Sequence, residues 1–206
     1  MISIRKPIQT LIAVCIASLC WINLSTANDT YPSQEVQLLS NQDALVKSGE
    51  DFSVYAEYNV SNGKKLTGIG IRIHYNSNFF EFQRIDSYYE FGLTGSTSES
   101  TDDLNEDNDP LTDRCVVIAW SSLGSTWPWH ELPLELIRVV FKVKDDIENA
   151  YSWINVTASS TTGGYIFEGT NIQFLVYKKN NLDINNDGKF NLIDVIQSIK
   201  YIGLNN

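Results

Sequence analysis

The chain is poor in the residues that most covalent and metal-assisted chemistry needs. Its 206 residues include only two histidines, three cysteines, one methionine and five prolines. His74 and His130 fall on different segments with no serine or cysteine suitably spaced, so a nucleophile–base–acid triad is not expected. No zinc-ligand spacing and no phosphate-cradling glycine loop occurs. Cations are also in deficit, 15 Lys and Arg against 25 Asp and Glu for a net charge of −10, which leaves no electrostatic footprint for nucleic acid or an anionic membrane. Aromatics, by contrast, make up 12 % of the chain. With methionine and proline scarce, that balance favours strands over helices.

Two of the cysteines, Cys15 and Cys20, lie in an N-terminal segment that reads as a targeting signal. Arg5 and Lys6 precede an apolar run from Ile8 to Leu24, and Ser25-Thr26-Ala27 supplies small residues at the cut site. This pattern predicts a secretory signal peptide over residues 1–27, cleaved after Ala27, and an extracellular or periplasmic product without stable membrane insertion. An uncleaved anchor is the alternative, though Gln9, Thr10, Ser18 and Asn23 interrupt the run. After cleavage Cys115 stands alone, so no intramolecular disulfide can form, and a small buried residue is its expected role.

Regular alternation begins near Val36 and Leu38 and is clean from Asp51 to Val60, where Phe52, Val54, Ala56, Tyr58 and Val60 share one face. Ser61-Asn62-Gly63-Lys64 reads as a hairpin turn. From Leu66 to Tyr75, Thr67, Ile69, Ile71, Ile73 and Tyr75 point inward, opposite Gly68, Gly70, Arg72 and His74. The two glycines leave the outer face flat, which suits a close backbone neighbour, a bulge or a docking surface. Further strands are expected around Phe79–Ile85, Arg114–Trp120, Ile137–Val143, Trp153–Ala158, Gly164–Phe167 and Ile172–Tyr177. Between them, 94–113 is a polar, acidic stretch that reads as an exposed loop, and 121–133 is irregular around Trp127-Pro128-Trp129. Eight or nine short strands, with no helix before residue 190, predict an all-β sandwich or barrel.

The C-terminal stretch LDINNDGKFNLIDVIQSIKYIG breaks this pattern. Counting from Asp183, oxygen donors fall at the first, third, fifth, ninth and twelfth places, as Asp183, Asn185, Asp187, Asn191 and Asp194. Gly188 takes the sharp sixth place, and Lys189 offers its carbonyl at the seventh. That spacing suits Ca²⁺, which takes six to eight oxygens. Ile193, Ile196, Ile199 and Ile202, with Val195 beside them, then trace one face of a helix ending at Gly203. Residues 182–204 resemble a single dockerin-type, EF-hand-like repeat: a calcium loop with a following helix and no entering helix.

A second resemblance covers residues 34–177. The succession VYAEYNV, GIGIRIHYNSNFFEF, an acidic loop, CVVIAWSS and LELIRVVFKV is similar to the cohesin family of jelly-roll sandwiches. It implies a jelly-roll β-sandwich of about nine strands acting as a non-catalytic module for protein–protein association or self-association, linked to polysaccharide metabolism. By the same resemblance Gly68, Gly70, Arg72 and His74 are candidates for part of the partner-binding face, and Ile193 and Ile196, on the helix face that a single dockerin-like repeat leaves without its usual partner repeat, are candidates in the tail. Two rival readings stand beside it. Trp127 and Trp129, with Tyr88 and Tyr89, either form a glycan-stacking platform, as in a carbohydrate-binding module, or cap the core. The carboxylates Asp102, Asp103, Glu106, Asp107, Asp109 and Asp113 would serve a glycan-degrading enzyme only if a cleft held a pair at fixed separation. A second calcium site there would use Asp103, Asn105 and Asp107, although Asn108 replaces the glycine and Arg114 takes the closing place.

Overall fold

The computed structural model describes residues 31–94, 98–145, 147–178 and 192–203. The described residues all belong to one unit, which begins at Tyr31. The segment 1–27, expected to be a signal peptide, therefore lies outside them.

Two sheets form the all-β sandwich expected from the alternation. One orders its strands β11 (Ile166–Gly169), β1 (Ser33–Ser40), β3 (Asp51–Val60), β9 (Leu134–Val143) and β5 (Phe80–Tyr88). The other runs β2 (Leu45–Lys47), β12 (Ile172–Tyr177), β10 (Ala150–Ser160), β4 (Gly68–Tyr75), β8 (Arg114–Ser121) and β6 (Leu93–Thr94), with β7 (Ser98–Thr101) also on β8. The pairings β1–β11 and β2–β12 are parallel, and the others are antiparallel. Strand β5 is bulged twice against β9, between Phe82 and Arg84 and between Ile85 and Ser87. A helix, α1 (Leu192–Gly203), follows near the C-terminus.

The inward side chains of β3 meet those of β5, β9 and β12. Phe52 packs on Phe80, Phe141 and Phe174 with ring centroids 5.1, 5.8 and 4.9 Å away. Each such buried side chain is worth about 1.5–3 kcal/mol relative to exposure. A buried amide ties the layers together: Gln34 Nε2 donates to the Tyr58 hydroxyl (2.8 Å) and the Gly68 carbonyl (3.0 Å), while its Oε1 accepts from the Thr162 amide (2.7 Å). Burial pushes the Tyr58 phenol up to about 12.

Strand β4 departs from expectation because both its faces are covered. Ile69, Ile71, Ile73 and Tyr75 face the core, yet Gly68, Gly70 and His74 are buried too. Thr67 is exposed instead of inward: Leu66 takes the buried place, bridged to Trp127, and the chain reaches β4 through Gly68 at φ +139°. Cys115 is buried, as expected, but beneath β7, with its sulfur 3.3 Å from Ser100 Oγ. Burial pushes its thiol pKa up.

Candidate functional site

The outer face of β4 and the acidic stretch form one assembly. Alternation turns Arg72 and His74 outward on β4 and Asn155 and Thr157 outward on the adjoining β10, leaving four polar groups on a sheet that must be paired if covered. Residues 102–113 cover them. His74 Nδ1 lies 2.8 Å from Asp102 Oδ2 and its Nε2 2.7 Å from Thr157 Oγ1. Arg72 Nε is 2.7 Å from Glu106 Oε2, an ion pair in which no N–H is aligned to donate to that buried oxygen. Asn155 Nδ2 donates to Asp107 Oδ2 at 2.8 Å and to Asp109 Oδ2 at 3.4 Å.

The stretch keeps its shape by short-range bonds. Thr112 Oγ1 donates to Asp107 Oδ2 (2.7 Å), and the Leu111 amide donates to Asp109 Oδ1 (3.0 Å). Asn105 and Asn108 adopt φ of 49° and 59°, the left-handed region that asparagine tolerates better than most side chains. Asn108 thus makes the reversal a glycine would otherwise make. At the far end Asp113 accepts from the Ser77 amide (2.7 Å) and hydroxyl (2.6 Å). Burial pushes its carboxyl up, but the Ser77 bonds and the Arg114 charge outweigh this and hold it below the usual range. The expectation of an exposed loop over 94–113 is corrected in part: Ser98–Thr101 form β7, and Asp102, Glu106, Asp107 and Asp109 are struts that fasten the following segment to β4 and β10. His74, Asp102 and Asp107 offer three metal-ligating atoms within 4.8 Å of one another, but each is already hydrogen-bonded. Asp107 and Asp109 also border an open depression of about 300 Å³, shared with Trp153, Asn155, Thr157 and Thr170.

The four residues expected on a partner-binding face are thus accounted for differently. Gly68 and Gly70 are required by close approach: an added Cβ would strike the Trp120 carbonyl at Gly68, and the Ser159 and Ser160 hydroxyls at Gly70. Arg72 and His74 are held by the chain's own loop. What faces outward here is the loop's surface, including Leu104 and Leu111. Charge complementarity was the available sequence signal, since two outward basic side chains on one strand precede a run of acids.

The aromatic pair behaves asymmetrically. Trp127 is 0 % exposed, its Nε1 donating to the Phe91 carbonyl at 3.1 Å and its ring stacked 6.3 Å from Trp120. Trp129 is 57 % exposed and lies 5.7 Å from Phe91. A platform shared by Trp127 and Trp129 is therefore not formed, because the bridge of Trp127 to Leu66 draws its ring into the core.

Of the donors expected in a calcium loop, Asp183, Asn185, Asp187, Lys189 and Asn191 lie outside the described residues. Asp194 lies in the first turn of α1 and is 0 % exposed, whereas Ile193, Ile196 and Ile199 on the same helix are exposed.

No family model matches the chain, and no curated protein does. Solved structures similar to it include the cohesin module of a family 33 glycoside hydrolase from Clostridium perfringens, at 15 % identity over 71 % of this chain and 100 % of that one, with a TM-score of 0.44. The CaCohA2 structure from Clostridium acetobutylicum matches at 13 % identity, 71 % and 91 % coverage and a TM-score of 0.43. The seventh ScaB type I cohesin from Pseudobacteroides cellulosolvens matches at 11 % identity, 71 % and 94 % coverage and a TM-score of 0.44. The structural neighbours are cohesin modules.

Proposed function

We propose that the chain is a secreted, non-catalytic binding protein: a cohesin-like sandwich with a calcium-ordered, dockerin-like tail, working by protein–protein association. The observation that carries this reading is the inverted burial of α1. Its apolar residues Ile193, Ile196 and Ile199 face solvent, while the acid Asp194 is withdrawn from it. Burying a carboxylate is costly unless strong partners surround it. An inward carboxylate at the closing place of an all-oxygen donor set fits a hard divalent cation. Asp183, Asn185, Asp187, Asn191 and Asp194, with the Lys189 carbonyl, would hold Ca²⁺, which would neutralise the acids and fix the loop. The exposed isoleucines then form a face that a protein partner, or another copy of the chain, would cover.

The test is calorimetry and light scattering on the mature chain with and without Ca²⁺, alongside Asp183→Ala. The expected result is a heat of Ca²⁺ binding and a partner complex or oligomer that dissociates with EDTA, both lost in the variant. Unchanged mass together with no heat of binding would overturn the proposal.

A further inference from the structure

A separate surface, formed where β5 runs out toward residue 91 and the 121–133 segment passes beside it, has the makings of a ligand site. Tyr88, Phe91 and Trp129 are each about half exposed (47, 43 and 57 %). Phe91 lies 5.7 Å from the Trp129 ring and 4.8 Å from the His130 ring, so the three make a continuous shelf. Half-exposed aromatics are often incidental, but these are fixed from below. Tyr89, buried beneath them, accepts at its hydroxyl from the Trp129 amide (2.9 Å) and shares a hydrogen bond with His130 Nδ1 (3.0 Å). Its amide donates to the Leu136 carbonyl (2.7 Å), and its carbonyl accepts from Trp120 Nε1 (2.8 Å). The Phe91 carbonyl in turn accepts from Trp127 Nε1. The shelf is therefore preorganised, which lowers the ordering cost of binding.

Two depressions adjoin it. One, of about 360 Å³, is lined by Tyr88, Phe91, His130, Leu134 and Glu135, and a second, of about 260 Å³, by Ile85, Asp86, Ser87 and Glu90. Ser87, Tyr88 and Glu90 border both, so an extended ligand can occupy the two in succession. The charge of the lining narrows the ligand class. Glu135 is committed to Arg138 (2.7 and 3.1 Å) and to the Ser87 hydroxyl, and Asp86 to Arg84 (2.9 Å). Two of the three lining carboxylates are thus internally compensated, so the lining disfavours an anion and does not require a cation. What remains for a ligand is flat aromatic surface, the Tyr88 hydroxyl and the Glu90 carboxylate.

We infer that the shelf of Phe91, Trp129 and His130, with Tyr88 bordering the two depressions beside it, is a binding site for a neutral oligosaccharide. Polarised C–H groups on one face of a sugar ring are attracted to the electron-rich faces of the aromatics. The ring hydroxyls supply donors and acceptors for Glu90 and Tyr88. A mostly apolar depression with a few placed polar groups is the usual form of a small-ligand site. The site is independent of the calcium tail, so either proposal can fail alone.

The experiment titrates the mature chain with cellohexaose, xylohexaose and mannohexaose, and separately with oligolysine, following tryptophan fluorescence and calorimetric heat. At least one neutral hexasaccharide is expected to bind, with affinity at least tenfold weaker in both Trp129→Ala and Phe91→Ala. Leu104→Ala, on the acidic loop, is expected to leave affinity unchanged, as is EDTA. Unaltered circular dichroism and melting temperature in Trp129→Ala separate lost binding from lost folding. No saccharide binding at millimolar concentration, preferential binding of oligolysine, or saccharide affinity unchanged in Trp129→Ala would each overturn the inference.

Discussion

His74 Nδ1 and Asp102 Oδ2 stand 2.8 Å apart with side-chain exposures of 0 % and 3 %, joining a core strand to a loop that lies 28 residues further on. Truncating one partner strands the other away from water, which typically costs about 1–3 kcal/mol and more where a charge is left. Asp102→Ala is therefore expected to lower the melting temperature by several degrees, at about 2–4 °C per kcal/mol for a chain of this size. Amide exchange across 102–113 should quicken. Native-state hydrogen exchange decides the point, and protection unchanged in that segment would show that the pair does not hold the loop.

The two tryptophans flanking Pro128 should separate cleanly. Trp127→Ala empties a fully buried site and is expected to cost about 3–5 kcal/mol. Trp129→Ala, at an exposed site, should stay within about 0.5 kcal/mol. Urea unfolding of both variants checks this.

Gln34→Leu removes a partner from the Tyr58 hydroxyl and the Thr162 amide, and one of two donors from the Gly68 carbonyl, which keeps the Thr162 hydroxyl at 3.1 Å. Each buried group left unsatisfied costs about 1–3 kcal/mol. The variant is expected to be among the most destabilised of single polar replacements, as read by calorimetric melting.

Glycine replacements should rank by surroundings. Gly63, at φ +66°, has open space around its Cβ position, so Gly63→Ala meets only backbone strain of about 1–3 kcal/mol. Gly68→Ala adds collision with the Trp120 carbonyl and Ser121 backbone, and is expected to be the more damaging in a thermal melt.

Acid should loosen two anchors. Asp113 is held below its ordinary value of 3.8, since the Ser77 bonds outweigh burial, and Glu135 below 4.5, chiefly by its bond to Arg138. A lowered folded pKa contributes stability that is complete above the ordinary value and is lost as pH falls through the lowered one. The melting-temperature gap between the protein and Asp113→Asn or Glu135→Gln should therefore be constant near neutrality and shrink below about pH 4. A gap independent of pH would contradict this.

Much of the sandwich was legible because alternation is a local signal. Phe52, Val54, Ala56, Tyr58 and Val60 are all buried as the spacing in β3 requires, and Gly63 takes the positive φ its turn implies. The outer layer was not legible. Ser98–Thr101 has no apolar alternation, yet it forms β7 because β8 offers it a ladder from Val117 to Arg114. The acids of 102–113 read as solvated because their partners Arg72, His74, Asn155 and Thr157 come from strands distant in sequence. Trp127 and Trp129 are chemically equivalent in the string of residues, and only the bridge to Leu66 distinguishes them.

The twofold bulging of β5 bears on how this protein meets others. As the outermost strand of its sheet, β5 would otherwise present a straight row of unpaired backbone groups to any neighbouring chain. The interruptions at Phe82–Arg84 and Ile85–Ser87, together with the charges of Arg84 and Asp86, deny a second sheet a regular template. Stacking of copies strand against strand is thereby discouraged at that border, which leaves side-chain chemistry on the other surfaces to set any selectivity between chains.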